Sequence, residues 1–192
     1  MSLILNASKM GSKTFFSIIL VVLLIFGSNV KAQEVYGTIN GTIHITGVWN
    51  DSALIAVSNE LVVLLNYETA QFELRLDKST LRTGIDSLDK KLKKLERDIL
   101  VYEGKLGIEY VQTQSHPPQD FEVEGYLTCA PHNENIIGKG HLEHIFGDVY
   151  SCILNMTFHL NLKEANLNID LPGLVDEVHV EIIQTVLKRE SE

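Results

Sequence analysis

The sequence is poor in cysteine, short of basic residues and without any recognisable catalytic signature. Cys129 and Cys152 are the only two cysteines in 192 residues. In an oxidising compartment they allow one bridge, which would be worth about 2–4 kcal/mol. Two buried thiols fit as well, because spacing alone does not bring two Cα atoms within bonding range. Sixteen Lys and Arg stand against 25 Asp and Glu, a formal charge of −9. Such a surface repels phosphate backbones and anionic headgroups, which argues against nucleic-acid binding and electrostatic membrane docking. There is no G-x-S-x-G, H-E-x-x-H, C-x-x-C or phosphate loop, and Gly138-Lys139-Gly140 is too short for a dinucleotide fingerprint. No enzyme activity is expected. Repeats, low-complexity tracts and internal linkers are also absent, so the chain reads as one domain.

The first 32 residues contain no acid. Lys9 and Lys13 precede an apolar run from Phe15 to Gly27, which is shorter than the roughly 20 residues a membrane-spanning helix needs. Val30 and Ala32 then supply the small-residue pattern of signal-peptide cleavage. Residues 1–32 are therefore expected to be a signal peptide, cut near Ala32, with the mature domain at 33–192 in the periplasm or outside the cell. Cleavage removes three lysines (Lys9, Lys13 and Lys31) and no acid, taking the formal charge from −9 to −12.

Alternation of apolar and polar residues dominates the mature chain, the period of a half-buried strand. It is seen at Ile43–Ile45, Phe72–Leu74–Leu76, Leu106–Ile108–Tyr110, Phe121–Val123–Leu127 and Val178–Val180–Ile182. The longest stripe runs Tyr150, Cys152, Leu154, Met156, Phe158, Leu160, Leu162. Ala53–Leu65 is apolar almost throughout and reads as one or two strands. Turns are expected at Pro117-Pro118, Pro131–Asn135, Phe146-Gly147-Asp148 and Pro172-Gly173. Between Asp86 and Leu100 the spacing changes: Leu88, Leu92, Leu95 and Ile99 recur with helical period, predicting one amphipathic helix. About eight long antiparallel strands and one helix give an all-β fold, a single closed barrel in preference to a sandwich.

Seven histidines are the residue type that would otherwise signal chemistry. His141 and His144 are three apart and fall on opposite faces of a strand. His141 and His159 could meet across neighbouring strands on the outer face, but zinc needs three or four converging ligands. No metal site is expected. His144 has inward parity beside Leu142, and either orients a ligand headgroup or sits in water at a barrel end. Gly138 and Gly140 share that inward parity. They either leave room for a ligand or mark a bulge.

From about residue 70 to 187, and more weakly over 36–69, the features resemble the YceI-like family of exported lipid-binding proteins. FELRLDKSTLRTG (72–84) is similar to that family's strand and turn, and DSLDKKLKKLERDIL (86–100) stands where the family has a helix. GIEYVQTQS (107–115), FEVEGYLTCAPHNENIIGKGHLEH (121–144) and VDEVHVEIIQTVL (175–187) follow in the family's order. The family's tyr-pro pair is absent, its place taken by Tyr102-Glu103-Gly104-Lys105. The resemblance implies a lipocalin-like antiparallel barrel that carries or sequesters a long apolar ligand, a polyisoprenoid or other long-chain lipid, and no catalytic cofactor. The membrane then enters only as the source of lipid; oligomeric state is open, a dimer being compatible. Candidate lining residues are Phe72, Leu74 and Leu76; Val123 and Leu127; Gly138, Gly140, Leu142 and His144; Leu154, Met156 and Phe158; and Val180. The alternative is a ligand-free barrel or sandwich acting through its surface as an envelope or partner-binding module.

Overall fold

The computed structural model describes residues 34–95, 99–112, 117–129, 132–145, 151–167 and 171–189, with backbone only at Cys129, His132 and Ser151. The expected signal peptide, the Phe146–Asp148 turn, Tyr150 and His116 lie outside the described residues.

Eight strands, β1 (Val35–Trp49), β2 (Ser52–Asn66), β3 (Gln71–Asp77), β4 (Ile99–Leu106), β5 (Gln119–Cys129), β6 (His132–Ile145), β7 (Ser151–Asn161) and β8 (Glu177–Arg189), form a closed antiparallel barrel. Each strand pairs with its sequence neighbour, and β8 closes on β1. Long strands suit this closure because barrel strands must tilt and stagger. Alternating side chains put one apolar face inside, and the buried residues form a single core. Ser58, Asn66 and Thr185 are its only buried polar residues among those described, and none is charged.

Ala53–Leu65 belongs to one strand, whose unclear parity comes from irregular pairing: the register with β1 shifts on both sides of Gly41. A second irregularity lies between Leu154 and Met156, where the Asn155 side chain accepts from the Gln184 N–H. Such bulges bend a strand and keep its apolar residues inward on both sides. The β1–β2 hairpin turns at Asn50-Asp51, both with positive φ, as a two-residue turn matched to strand twist requires.

Three sequence expectations need correction. The helix, α1, spans only Asp86–Leu92, followed by a single 3-10 turn at Lys93–Leu95. Ile99 and Leu100 instead open β4, paired with Asp77 and Leu76. Ladder hydrogen bonds to β3 outweigh a helical period that these leucines also satisfy. At the other end of β4, Leu106 is the last strand residue; Ile108 lies in the following loop and Tyr110 is exposed there. His132–Asn135, expected in a turn, are ladder residues of β6 paired with Tyr126–Cys129.

The two barrel ends are closed differently. At one, residues 162–167 add Leu162, Ala165 and Leu167 to the core, and residues 171–175 are held by bonds from Trp49 Nε1 to Pro172 O (3.0 Å) and Val175 N to Val48 O (2.9 Å). The segment carrying α1 lies on this side: Val57 and Arg82 exchange two backbone bonds of 2.8 Å, and Thr80 Oγ1 bonds Ser58 Oγ at 2.6 Å. At the opposite end Tyr36 and Tyr67 stack with ring centroids 3.8 Å apart, and Val111 N donates to Tyr67 O at 2.7 Å.

Candidate functional site: the barrel interior

The barrel brings the predicted lining residues together. Phe72, Leu74, Leu76, Val123, Leu127, Leu142, Leu154, Met156, Phe158 and Val180 are all buried in one cluster. Their strands explain why: each sits on the inward parity of a ladder whose register is fixed, as in Leu142↔Leu154 and Phe158↔Val180. Sequence reasoning missed Tyr102, although it is inward on β4. Its ring lies 5.0 Å from Phe72 and 5.1 Å from Phe158 by centroid, and its hydroxyl donates to Ile136 O at 3.1 Å. Burial pushes the Tyr102 phenol well above its ordinary pKa, with the Glu124 charge adding to the effect. Tyr102 was hidden because the helical spacing of 86–100 obscured the start of its strand.

Gly138 and Gly140 do face inward, but side chains already occupy the space they leave. A methyl group at Gly138 would meet Thr157 O and Val123 Cγ1, the latter at 2.9 Å, and one at Gly140 would collide with the Phe121 ring. The ladder between β5 and β6 is unbroken at these positions. They are therefore neither bulges nor openings. They let Phe121, Val123 and Phe158 pack against the backbone.

His144 stands at the stacked-tyrosine end, half-buried, with Nδ1 3.7 Å from Cys152 Sγ. Cys152 is a buried thiol. Burial pushes its pKa up, a hydrogen bond with Tyr67 opposing the shift. The Cys129–Cys152 alternative is excluded by register. Cys129 pairs with His132 and Cys152 with His144, at opposite ends of β6, and twelve residues of strand span roughly 40 Å.

The outer-face histidines are arranged otherwise than expected. His141 pairs with Asn155 and is bonded through Nδ1 to Asp120 at 2.7 Å. His159 meets His179 instead, with ring centroids 4.8 Å apart. No cluster able to hold a metal ion occurs among the described residues. The outer face also carries an open groove of about 930 Å³ that reaches from Val35 of β1 to Ile137 of β6. Its walls include Glu73, Glu103, Lys105, Glu124, Tyr126 and Ile137, above the close approach of Gly104 and Gly125.

No family model matches the sequence, and no curated protein matches it. Solved structures do. A polyisoprenoid-binding domain from Saccharophagus degradans, implicated in plant cell wall breakdown, is similar over 83% of this chain and 100% of its own. The TM-score is 0.63 at 9% identity. The fold is that of this polyisoprenoid-binding domain. A Campylobacter jejuni YceI protein is similar over 86% of this chain and 90% of its own, with TM-score 0.48 and 12% identity. At such identities the likeness concerns the fold, and the barrel described here has to be interpreted through its own residues.

Proposed function

We propose that this protein is exported and carries or sequesters a long apolar lipid, isoprenoid-like in shape, within its barrel. The observation that carries the reading is the interior itself. Inward faces from all eight strands merge into one cluster with no buried charge among the described residues. The fold it shares with a polyisoprenoid-binding domain supports the same reading. Apolar burial contributes roughly 25 cal/mol per Å², so a long chain needs no catalytic group to be held. Met156 lies in that cluster beside the Phe72, Tyr102 and Phe158 rings, and methionine is the most adaptable of core residues.

The filled space over Gly138 and Gly140 favours a second reading, a solid barrel that acts through its surface. The outer groove rimmed by Tyr126 and Ile137 is the concave surface that reading would use.

The deciding experiment is mass spectrometry of an organic-solvent extract of the mature protein, purified from its native host without detergent. A stoichiometric isoprenoid or fatty-acyl species supports the carrier, whereas a clean extract after lipid-rich growth supports the surface module. The intact mass of the same sample tests export, a mature chain beginning near Gln33 being expected.

A further inference from the structure

We infer that the exposed face of α1, where Lys90, Lys91, Lys93 and Lys94 lie between Ile55 and Ile99, is a docking surface for an anionic lipid membrane. The inference goes beyond the carrier reading. It concerns the outer face through which such a protein meets its lipid source, and its test needs no bound cargo.

Net charge speaks against membranes, but charge is unevenly distributed along this chain. Residues 78–95, between β3 and β4, hold six bases and two acids, a net +4 in a sequence of −9. Extending the segment to Asp98 leaves +3. The fold keeps this excess together on one side. Leu88 is buried and Leu92 packs half-buried against the core, so α1 and the turn after it present all four lysines to solvent. Of the two acids, Asp86 is exposed at the start of the helix and Asp89 is turned back onto Thr83.

Distance decides whether the acidic remainder cancels this patch. A strand of twelve residues is roughly 40 Å long, several Debye lengths of about 10 Å at 0.1 M salt. A charged plane touching α1 therefore senses these lysines far more than the acids at the other end of the barrel. At the same end, Asp51 belongs to the β1–β2 turn, and Glu164 and Asp176 to the connection between β7 and β8. The docked barrel accordingly tilts towards β3 and β4.

The apolar flanks select lipid among anionic partners. Ile55, two residues along β2 from the Val57–Arg82 bridge, is 50% exposed, and Ile99, which opens β4, is 51% exposed. Such side chains gain by entering the interfacial layer of a bilayer while neighbouring lysines meet the headgroups. Against a nucleic-acid backbone they stay in water. Residues 78–99 also contain no aromatic side chain on which a base could stack.

The test is cosedimentation of the mature protein with vesicles in 0.1 M NaCl, either phosphatidylcholine alone or three parts of it to one of phosphatidylglycerol. Wild type should bind the mixed vesicles and not the neutral ones, and 1 M NaCl should release it. Lys90→Gln/Lys93→Gln/Lys94→Gln should lower partitioning about a hundredfold, at roughly fivefold per lysine. Ile55→Ser/Ile99→Ser should weaken binding as well. A control, Lys105→Gln/Lys139→Gln/Lys188→Gln, removes the same charge elsewhere on the surface and should bind like wild type. No binding to the mixed vesicles, equal losses in the two lysine variants, or equally tight binding of an oligothymidylate would overturn the assignment. None of these results bears on the extract experiment, so the carrier reading stands or falls separately.

Discussion

The ring of Phe121 fills the space left by the absent side chain of Gly140 across the β5–β6 ladder. A glycine that looks like an opening along one strand is, in three dimensions, a seat for an aromatic side chain from the next.

Gly140→Ala should therefore destabilise the barrel by about 1–3 kcal/mol, the usual cost of overpacking. Combining it with Phe121→Leu should recover part of that loss, seen as non-additivity in urea unfolding. Additive losses would mean that the two positions are not in steric competition.

Cys152 should resist alkylation in the native protein. Its thiol is buried and its pKa is raised, and the thiolate is the reactive form. Mass mapping after iodoacetamide treatment at pH 8 without reductant should find Cys152 unmodified while folded and modified after denaturation. A peptide linking Cys129 to Cys152 would contradict the strand register.

Tyr67 and Tyr102 make the barrel sensitive to alkali. Their folded pKa values are raised by burial, so their contribution is complete below the unfolded tyrosine pKa near 10. It declines as the pH rises through that value towards the folded ones. Stability measured by urea should fall above about pH 10, with part of the tyrosinate absorbance appearing only as the barrel unfolds. Tyr102→Phe should flatten that fall, and it also removes the bond to Ile136 O.

Asp89 acts in the opposite direction. Its carboxylate accepts from the Thr83 N–H and hydroxyl, each at 2.7 Å, and the backbone bond is the larger cause of its lowered pKa. That stabilisation is present above the ordinary carboxylate range and is lost as pH falls through the lowered value. Asp89→Asn should reduce Tm by about 2–4 °C near neutrality, the shift expected for losing hydrogen bonds to a charged acceptor worth about 1 kcal/mol. The deficit should shrink on acidification.

Much of the fold was legible because period-2 alternation is a local property. Phe121, Val123 and Leu127, or Leu154, Met156 and Phe158, reveal their shared face without knowledge of their partners. The stretch Leu88–Ile99 was ambiguous, since the same leucines satisfy a helical period; pairing of Ile99 and Leu100 with β3 ended the helix early. Asn50-Asp51 carried a hairpin signal that sequence reasoning passed over, and positive φ at both residues displays it.

The sequence by itself determined the all-β architecture, the inward face of the regularly alternating strands and the apolar character of the interior. Each follows from side-chain chemistry repeating along a single strand. Only the tertiary structure decided what fills the space over Gly138 and Gly140, which histidines meet, and why Cys129 and Cys152 stand apart. Those outcomes depend on registers between strands, where ladder hydrogen bonds and packing of the whole closed sheet fix which residues face one another.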